Sequence, residues 1–354
     1  MENQYRVTGL MSGSSLDGID LACCDFIYER ERWNFRILEA ETFPYPPLLR
    51  EKLHQAIHWS RPELEKLDKE TGAYYAFILN QFHAKHDLNP DLISSHGHTV
   101  FHDPSQGITL QIGNGRLMAD ATGITVVNDF RSEDVALGGQ GAPLVPVGDK
   151  LLFGEYEACL NLGGFANISY ESDHNGRMAF DIGPANIPLN WLAEKAGKPH
   201  DHEGSMAREG QVDEPLLQQL NSLEYYRVPP PKSLGREWFR DRFMPILEDS
   251  AIQLNDKMAT VVEHLAAQIG KGITFSRAGR VMITGGGTFN TYLVDQIRKH
   301  TIARMVIPDR ITVEFKEALI FALLGLLRIR GEVNCLASVT GGPHDLCAGI
   351  IHLP

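Results

Sequence analysis

Residues 7–26, VTGLMSGSSLDGIDLACCDF, predict two β-strands joined by a tight turn that contains Gly13 and Gly18. A second unit of the same kind lies at residues 159–170, CLNLGGFANISY, where Gly163 and Gly164 form the turn. Each turn can present backbone N–H groups to an anion. Two such turns about one lobe apart therefore predict a two-lobed protein that clasps a polyphosphate in a cleft.

The rest of the chain alternates strands with helices, which predicts an α/β fold. Further strands are expected at residues 92–95, 124–128 and 281–284, and helices are expected from Ser60 onward and over residues 249–269. The stretch GGQGAPLVP, residues 138–146, is rich in chain-breaking residues. We therefore divide the chain into an N-terminal lobe, residues 1–137, and a C-terminal lobe, residues 138–354, whose last helix is a candidate to return to the N-terminal lobe.

Composition limits the kind of partner. The 354 residues with 43% apolar content suffice for two hydrophobic cores, and 45 acidic against 33 basic residues give a net charge of −12. Such a surface repels nucleic acid and anionic membranes, so a small-molecule substrate is expected. Five cysteines without a C-x-x-C pair and the lack of an apolar N-terminal segment predict a cytoplasmic protein.

The first turn carries side chains suited to phosphate and magnesium. Ser14 and Ser15 offer hydroxyl groups, and Asp17 and Asp20 could orient Mg²⁺ through water. An ordinary polar hairpin explains the same residues equally well. No G-x-x-x-x-G-K-[ST] loop occurs in the chain, so a P-loop nucleotide site is excluded.

A third glycine cluster, Gly285 to Gly287, follows the predicted strand at residues 281–284 and precedes a helix that starts near Asn290. This arrangement lets a nucleotide approach the backbone near a helix N-terminus. A plain loop is the alternative for a single cluster. Three glycine turns, each after a buried strand, favour the nucleotide site.

Two carboxylates are candidates for chemistry. Asp181 ends the apolar stretch at residues 178–180 beside a rigid turn, where it could act as a base, or it could cap the next helix. Glu317 is placed at the start of an apolar helix, residues 318–327, where the helix dipole alone would explain an anion.

A histidine cluster, His96, His98 and His102 with Asp103, raises the question of a metal site. The spacings H-x-H and H-x-x-x-H do not match a closed zinc site. We therefore expect these side chains to make polar contacts at the cleft and predict no dedicated metal ligands.

Eight blocks of sequence together resemble the anhydro-N-acetylmuramic acid kinase family: GLMSGSSLDGID (9–20), SHGHTVFH (95–102), LQIGNG (110–115), DFRSEDVALGGQGAPLVP (129–146), NLGGFANIS (161–169), FDIGPAN (180–186), TGGGTFN (284–290) and KEALIFALLG (316–325). The resemblance implies the actin/hexokinase/heat-shock chaperone (ribonuclease H-like) fold with ATP in the cleft. It also implies a phosphotransferase that opens 1,6-anhydro-N-acetylmuramic acid with water and phosphorylates it in peptidoglycan recycling.

The resemblance assigns roles position by position. Asp181 matches the catalytic base, and Glu317 matches a glutamate that holds the attacking water or the sugar ring. His96 and Arg131 are expected as sugar contacts from their position at the predicted cleft and not from the resemblance. Mg²⁺ is expected on the ATP phosphates because ATP is used, and a homodimer is expected by family analogy. The expected ATP contacts are Gly13, Ser14, Ser15, Leu16, Asp17, Gly18, Ile19, Asp20, Gly163, Gly164, Asn167, Gly285, Gly286, Gly287 and Asn290.

The chain departs from the family pattern at Ser14, His98, Ile182 and Ala185, and the last two lie just after the expected base. Two alternatives remain open at this point. One is a kinase for another sugar or a carboxylate on the same fold. The other is a non-catalytic, ATP-dependent switch protein.

Overall fold

The computed structural model describes residues 4–13 and 16–354, so the predicted phosphate contacts Ser14 and Ser15 lie outside the described residues. The chain divides into two compact units. Unit 1 comprises Met1–Phe153 and Phe315–Pro354, and unit 2 comprises Gly154–Glu314. The boundary that we placed before Gly138 falls inside unit 1, and the last long helix belongs to unit 1 from Phe315 onward.

Strands occur in both units. They are β1 Gln4–Ser12, β2 Ile19–Glu29, β3 Arg32–Phe43, β4 Leu92–Asp103, β5 Ile108–Ile112, β6 Val126–Asn128, β7 Ala158–Leu162, β8 Phe165–Ser172, β9 Gly176–Pro184, β10 Arg280–Thr284, β11 Arg304–Val306 and β12 Ile350–His352.

Helices alternate with these strands. They are α1 Pro47–Gln55, α2 Arg61–Lys85, α3 Gly115–Thr122, α4 Ser132–Ala136, α5 Val145–Leu152, α6 Asn186–Lys195, α7 Ser205–Glu209, α8 Glu214–Asn221, α9 Arg236–Trp238, α10 Met244–Asp249, α11 Leu254–Ser276, α12 Thr291–Lys299, α13 Arg310–Arg330 and α14 Ala337–Thr340. A π-helical turn, Phe239–Phe243, joins α9 to α10, and short 3₁₀ turns include Glu224–Arg227 and Gly286–Phe289.

The two sheets have the same topology. In unit 1 the order is β6-β4-β1-β2-β3, with β12 added beside β6 and β5 paired to β4; in unit 2 the order is β11-β10-β7-β8-β9. In each unit the first three strands form an antiparallel meander, and the first, fourth and fifth main strands run parallel. This repeated order is the ribonuclease H-like arrangement, so the predicted α/β fold class is confirmed.

The unit 2 core forms because β7 and β8 alternate apolar and polar residues. Leu160, Leu162 and Ile168 are fully buried in a cluster that also contains Val261 and Leu265 of α11. Burying such an aliphatic side chain contributes about 1.5–3 kcal/mol. The opposite, polar face of these strands therefore remains available for function.

Helix α2 forms part of the unit 1 core, where Leu67 and Phe82 pack with Leu10 and Ile93 of the sheet. Its predicted start is confirmed: Ser60 is the N-cap, and Glu63 completes a capping box with it.

The long helices α11 and α13 differ from prediction at their ends. Helix α11 begins at Leu254, not near residue 249, because residues 244–249 form the separate helix α10. Helix α13 begins at Arg310, so the placement of Glu317 at a helix start is wrong. The backbone does leave helical geometry at Phe315, φ −114° and ψ 15°, which is where the apolar part of α13 begins.

Helix α13 lies directly on the unit 1 sheet. A Cβ atom on Gly9 would lie 1.9 Å from the carbonyl oxygen of Ala318, so only glycine fits at this point of β1. The close approach fixes the start of the apolar part of α13, and hence Glu317, against the first strand. None of the helices in the described residues has the length and apolarity needed to cross a membrane.

Candidate active site

A row of polar side chains crosses the unit 2 sheet. Thr284 of β10 pairs with Asn161 of β7, Asn161 pairs with Asn167 of β8, and Asn167 pairs with Asp181 of β9. Directly paired residues project from the same face of a sheet. Four polar residues from four neighbouring strands therefore share one face, opposite the apolar core.

The glycine turns of unit 2 meet at one end of this row. Strands β7 and β10 are parallel, so Gly163 and Gly164 after β7 lie at the same sheet edge as Gly285 after β10. Gly285 has φ +86°, and a Cβ atom there would lie 2.5 Å from Asn161 Oδ1 and 2.8 Å from the Leu162 carbonyl oxygen. The structure thus brings two predicted nucleotide-binding turns together around Asn161, which sequence reasoning missed.

The turn after β7 is braced from the start of α6. The backbone N–H groups of Ala185 and Asn186 donate to the carbonyl oxygens of Gly164 and Gly163, at 2.8 and 3.1 Å, and Asn186 Nδ2 donates to the Leu162 carbonyl oxygen at 3.1 Å. A rigid backbone at this edge can receive phosphate oxygens without rearranging.

The turn after β10 leaves one open position. A Cβ atom on Gly286 would have no neighbour closer than Asn186 Nδ2 at 3.9 Å, so a ligand can approach the backbone there. Asn290, also expected at this site, is the N-cap of α12: its Oδ1 accepts from the Leu293 N–H at 3.0 Å. The Asn290 side chain is therefore already used inside the fold.

Asp181 lies within β9, three residues before its end, so both sequence interpretations of its place are corrected. The strand continues to Pro184 and does not end at Asp181, and the N-cap of α6 is Ala185, which removes the capping explanation. The half-buried carboxylate accepts a hydrogen bond from the Leu234 N–H at Oδ2, 2.8 Å. Burial raises the pKa of Asp181 to about 6, while the Leu234 hydrogen bond opposes that rise.

The turn of unit 1 is built differently. Leu16 adopts φ +57° and its N–H donates to the Gly13 carbonyl oxygen at 3.3 Å. Leu16 and Ile19 have buried side chains, so only their backbone could meet a phosphate. Asp17 is exposed, and Asp20 Oδ1 accepts from Thr42 Oγ1 at 2.6 Å.

A cluster of charged side chains surrounds Glu317 in unit 1. Lys316 Nζ lies 2.9 Å from Asp149 Oδ1, and both side chains are buried. The Glu317 side chain is exposed to solvent, but the surrounding protein partly desolvates its carboxylate and raises its pKa. The positive charges of Lys316 and Arg131 oppose this rise, and the negative charges of Asp20 and Asp149 add to it. The fold thus gathers three expected site residues, Asp20, Arg131 and Glu317, with Asp149 and Lys316, which sequence reasoning did not name.

Arg131 and His96 form a direct pair. Nε and Nη2 of Arg131 donate to His96 Nε2 at 3.1 and 2.9 Å, and His96 Nδ1 lies 2.9 Å from the Gly97 carbonyl oxygen. This pattern assigns a neutral imidazole with its proton on Nδ1. Burial and the Arg131 charge hold the pKa of His96 well below its usual range, and burial lowers the pKa of Arg131 to about 10.

The two other histidines of this cluster make separate polar contacts. His98 Nδ1 lies 3.2 Å from Ser12 Oγ, and burial lowers the pKa of His98 to about 4. His102 Nδ1 lies 3.1 Å from Thr109 Oγ1. Over residues 4–13 and 16–354, no three His, Cys, Asp or Glu side chains are grouped to hold a metal ion.

Asp134 organises the glycine-rich loop after α4, another feature that sequence reasoning missed. Its fully buried carboxylate accepts from the Gly141 N–H at 2.7 Å and from Thr340 Oγ1 at 2.9 Å. Arg131 Nη1 donates to the Gly141 carbonyl oxygen at 2.5 Å. The loop is therefore held from both sides next to Arg131.

Comparison with known proteins decides the family. A model of the anhydro-N-acetylmuramic acid kinase family matches residues 5–354. The chain belongs to the anhydro-N-acetylmuramic acid kinase family. Family membership confirms the resemblance that the eight sequence blocks indicated.

Curated relatives carry the same family name. The anhydro-N-acetylmuramic acid kinase of Aliivibrio fischeri is 34% identical, with 98% of this chain and 99% of the relative covered. That of Gloeobacter violaceus is 36% identical, with 97% of each covered. Among solved structures, the ROK hexokinase from Thermus thermophilus is similar at 13% identity and TM-score 0.42, covering 92% of this chain and 99% of that one.

Proposed function

We propose that this protein uses ATP and water to convert 1,6-anhydro-N-acetylmuramic acid to N-acetylmuramic acid 6-phosphate. Family membership supports the substrate and the reaction. The observation that carries the mechanism is Asp181, a half-buried carboxylate in a polar row that leads to two glycine turns. A base beside a phosphate-binding edge is what the reaction requires.

Asp181 is assigned as the general base. It takes a proton from water as the water oxygen bonds to the anomeric carbon, C1. The C1–O6 bond of the anhydro bridge breaks, O6 bonds to the γ-phosphorus of ATP, and ADP leaves. A pKa of about 6 supports this role because the group is mostly ionised at neutral pH and still basic enough to accept a proton.

The glycine turns of unit 2 are assigned to ATP. Gly163, Gly164 and Asn167 would contact phosphates, and Gly285 to Gly287 would lie along the nucleotide. The brace from Ala185 and Asn186 supports this role, since preorganised N–H groups stabilise developing charge without reorganising.

The charged cluster of unit 1 is assigned to the sugar. N-acetylmuramic acid carries a lactyl carboxylate, and Arg131 stays cationic because its pKa of about 10 remains above neutral pH. Glu317 would hold the attacking water or the sugar ring. The neutral His96 fixes the plane of the guanidinium group and leaves the positive charge on Arg131.

Magnesium fits the donor set of the first turn. Asp17 and Asp20 supply carboxylate oxygens, which Mg²⁺ prefers, and they would reach it through water. When bound with ATP, the ion offsets charge on the phosphates. The cytoplasmic location and the homodimer remain predictions from sequence and family resemblance.

An acceptor panel tests this function. The purified protein is offered 1,6-anhydro-N-acetylmuramic acid, N-acetylglucosamine, glucose and acetate, each with MgATP, and ADP release is recorded. We expect rapid release only with the anhydro sugar. Faster turnover of any of the other three would overturn the proposed substrate.

A further inference from the structure

One loop of unit 2 holds Asp181 at three points. We call the two sections of this loop that contact Asp181, Tyr225 and residues 232–235, the clasp loop. The Tyr225 hydroxyl donates to the Asp181 carbonyl oxygen at 2.6 Å, the Asp181 N–H donates to the Lys232 carbonyl oxygen at 3.0 Å, and the Leu234 N–H donates to Asp181 Oδ2 at 2.8 Å. Three hydrogen bonds thus connect one loop to a single residue of β9.

The clasp loop is also tied to itself. Lys232 Nζ donates to the Tyr225 carbonyl oxygen at 3.0 Å and lies 4.3 Å from the centre of the Tyr225 ring. The two sections of the loop that contact Asp181 are therefore joined to each other by these contacts.

As a result, the two carboxylate oxygens of Asp181 differ in their hydrogen bonding. Oδ2 accepts the Leu234 N–H, whereas Oδ1 has no hydrogen-bond partner among residues 4–13 and 16–354. We propose that the clasp loop positions the catalytic carboxylate so that Oδ1 is the oxygen that takes the proton, with Tyr225 and the Leu234 N–H as positioning groups. This inference rests on the proposed role of Asp181 as base.

Protection of a sheet edge is the competing explanation. Strand β9 is an edge strand, and a covering loop prevents pairing with other chains. Edge protection requires bonds to the backbone alone, as the Asp181 N–H and carbonyl oxygen make. The Leu234 N–H donates its hydrogen bond to the Asp181 side chain, and edge protection does not explain this bond.

Other groups around Asp181 do not complicate a pH measurement. The clasp loop contributes Tyr225, whose pKa is raised by burial, and Lys232, whose pKa is lowered by burial from 10.5. The residue opposite Asp181 on β8 is Asn167, which does not titrate. On the core side, α11 packs against β9 with Gly272 against Ile182.

The test uses Leu234→Pro, which removes the N–H donor, and Tyr225→Phe, which removes the hydroxyl. Losing a donor to the carboxylate disfavours its charged form, so in Leu234→Pro we expect the acid limb of kcat/KM to move up by about one pH unit. For Tyr225→Phe we expect kcat to fall about 10-fold at unchanged KM for ATP, because misplacing a catalytic group by about 1 Å costs up to 100-fold.

Tyr226→Phe is the matched control. This neighbouring tyrosine also makes a partly buried hydrogen bond, between its hydroxyl and His264 Nε2 at 2.9 Å, but it makes no hydrogen bond to Asp181. We expect it to lower stability without moving the acid limb or kcat. Wild-type kcat and pH profile in both clasp-loop variants would overturn the inference.

A second variant and a direct titration cover the case in which Leu234→Pro does not fold. Lys232→Met loosens the loop while keeping its backbone, and we expect lower kcat. Carbon-13 NMR of labelled aspartate, assigned with Asp181→Asn, reads the Asp181 pKa without turnover. If Asp181→Asn retains full activity, the proposed base is wrong; if it is inactive while the clasp-loop variants behave as wild type, only the clasp inference fails.

Discussion

The two units use the same strand order but acquire their functional groups in different ways. In unit 2, the polar residues Asn161, Asn167 and Asp181 stand side by side on consecutive strands of one meander. In unit 1, the charged groups Arg131, Asp149 and Glu317 come from a loop and two helices around the sheet. The strand order therefore sets where a site can form, and local sequence or tertiary packing supplies its chemistry.

This difference separates two kinds of sensitivity. The unit 2 groups are fixed by strand register, so a substitution there should change catalysis with little loss of stability. The unit 1 groups depend on a buried ion pair, so a substitution there should lower stability first. Substitutions in the two units therefore test this contrast.

The largest effect is expected for Asp181→Asn. Removing a general base costs about 10²–10⁴-fold in rate, and we expect kcat to fall by that range while ATP affinity and thermal stability stay near wild type. Steady-state kinetics with nucleotide-binding calorimetry measures both. Unchanged turnover would remove Asp181 as base, and loss of ATP binding together with kcat would indicate a structural role.

Breaking the Lys316–Asp149 pair should unfold unit 1 more readily. The pair is 2.9 Å apart with side chains about 5% and 4% exposed, and removing one partner of a buried ion pair costs about 3–5 kcal/mol. We expect Lys316→Met to lower the free energy of unfolding by that amount in denaturant titration. The double variant Lys316→Met with Asp149→Leu is the control, and it should recover most of the loss.

The sequence predicts the elements whose signals lie within one short segment better than those that depend on distant parts of the chain. Strands β7 and β8 with their Gly163 turn were predictable because alternation and turn chemistry lie in one short segment. Strand β3, which carries Arg32, Glu39 and Glu41 between its apolar residues, gives no such signal, because a solvent-facing edge strand need not alternate cleanly.

The unit 1 site shows why tertiary groups escape sequence reasoning. Nothing near Lys316 in the chain indicates that Asp149 will neutralise it, because the pair forms only when α5 and α13 are both in place. Likewise Asp134 looks like an ordinary residue of a short helix until the fold brings Gly141 and Thr340 to its carboxylate. Glu317 was a candidate from the sequence, but the helix dipole alone would have explained it, and only the family resemblance suggested a role for it.

Gly285 and Gly286, in the turn after β10, are expected to differ in their effect on stability. In Gly285→Ala the new Cβ meets Asn161 Oδ1 at 2.5 Å with φ at +86°, and strain of this kind costs about 1–3 kcal/mol. Gly286→Ala has open space around it, so it should keep stability and weaken ATP binding only. Thermal unfolding with and without ATP measures both; equal stability of the two variants would contradict the geometry.

The smallest effect is the pH dependence of the wild-type protein. Because the pKa of Asp181 is raised to about 6, kcat/KM should fall about tenfold per pH unit below that value as the base becomes protonated. His98, with its pKa lowered to about 4, is neutral over this range. Glu317→Gln is the control, since Glu317 is another carboxyl group with a raised pKa; the acid limb should persist in it.

The mass of the sugar product tests the central claim most directly. An Asp181-activated water must be incorporated if the anhydro bridge opens during phosphate transfer. Mass spectrometry of the product formed with MgATP should therefore show N-acetylmuramic acid 6-phosphate. A phosphorylated sugar lighter by one water, with the anhydro ring intact, would contradict the mechanism.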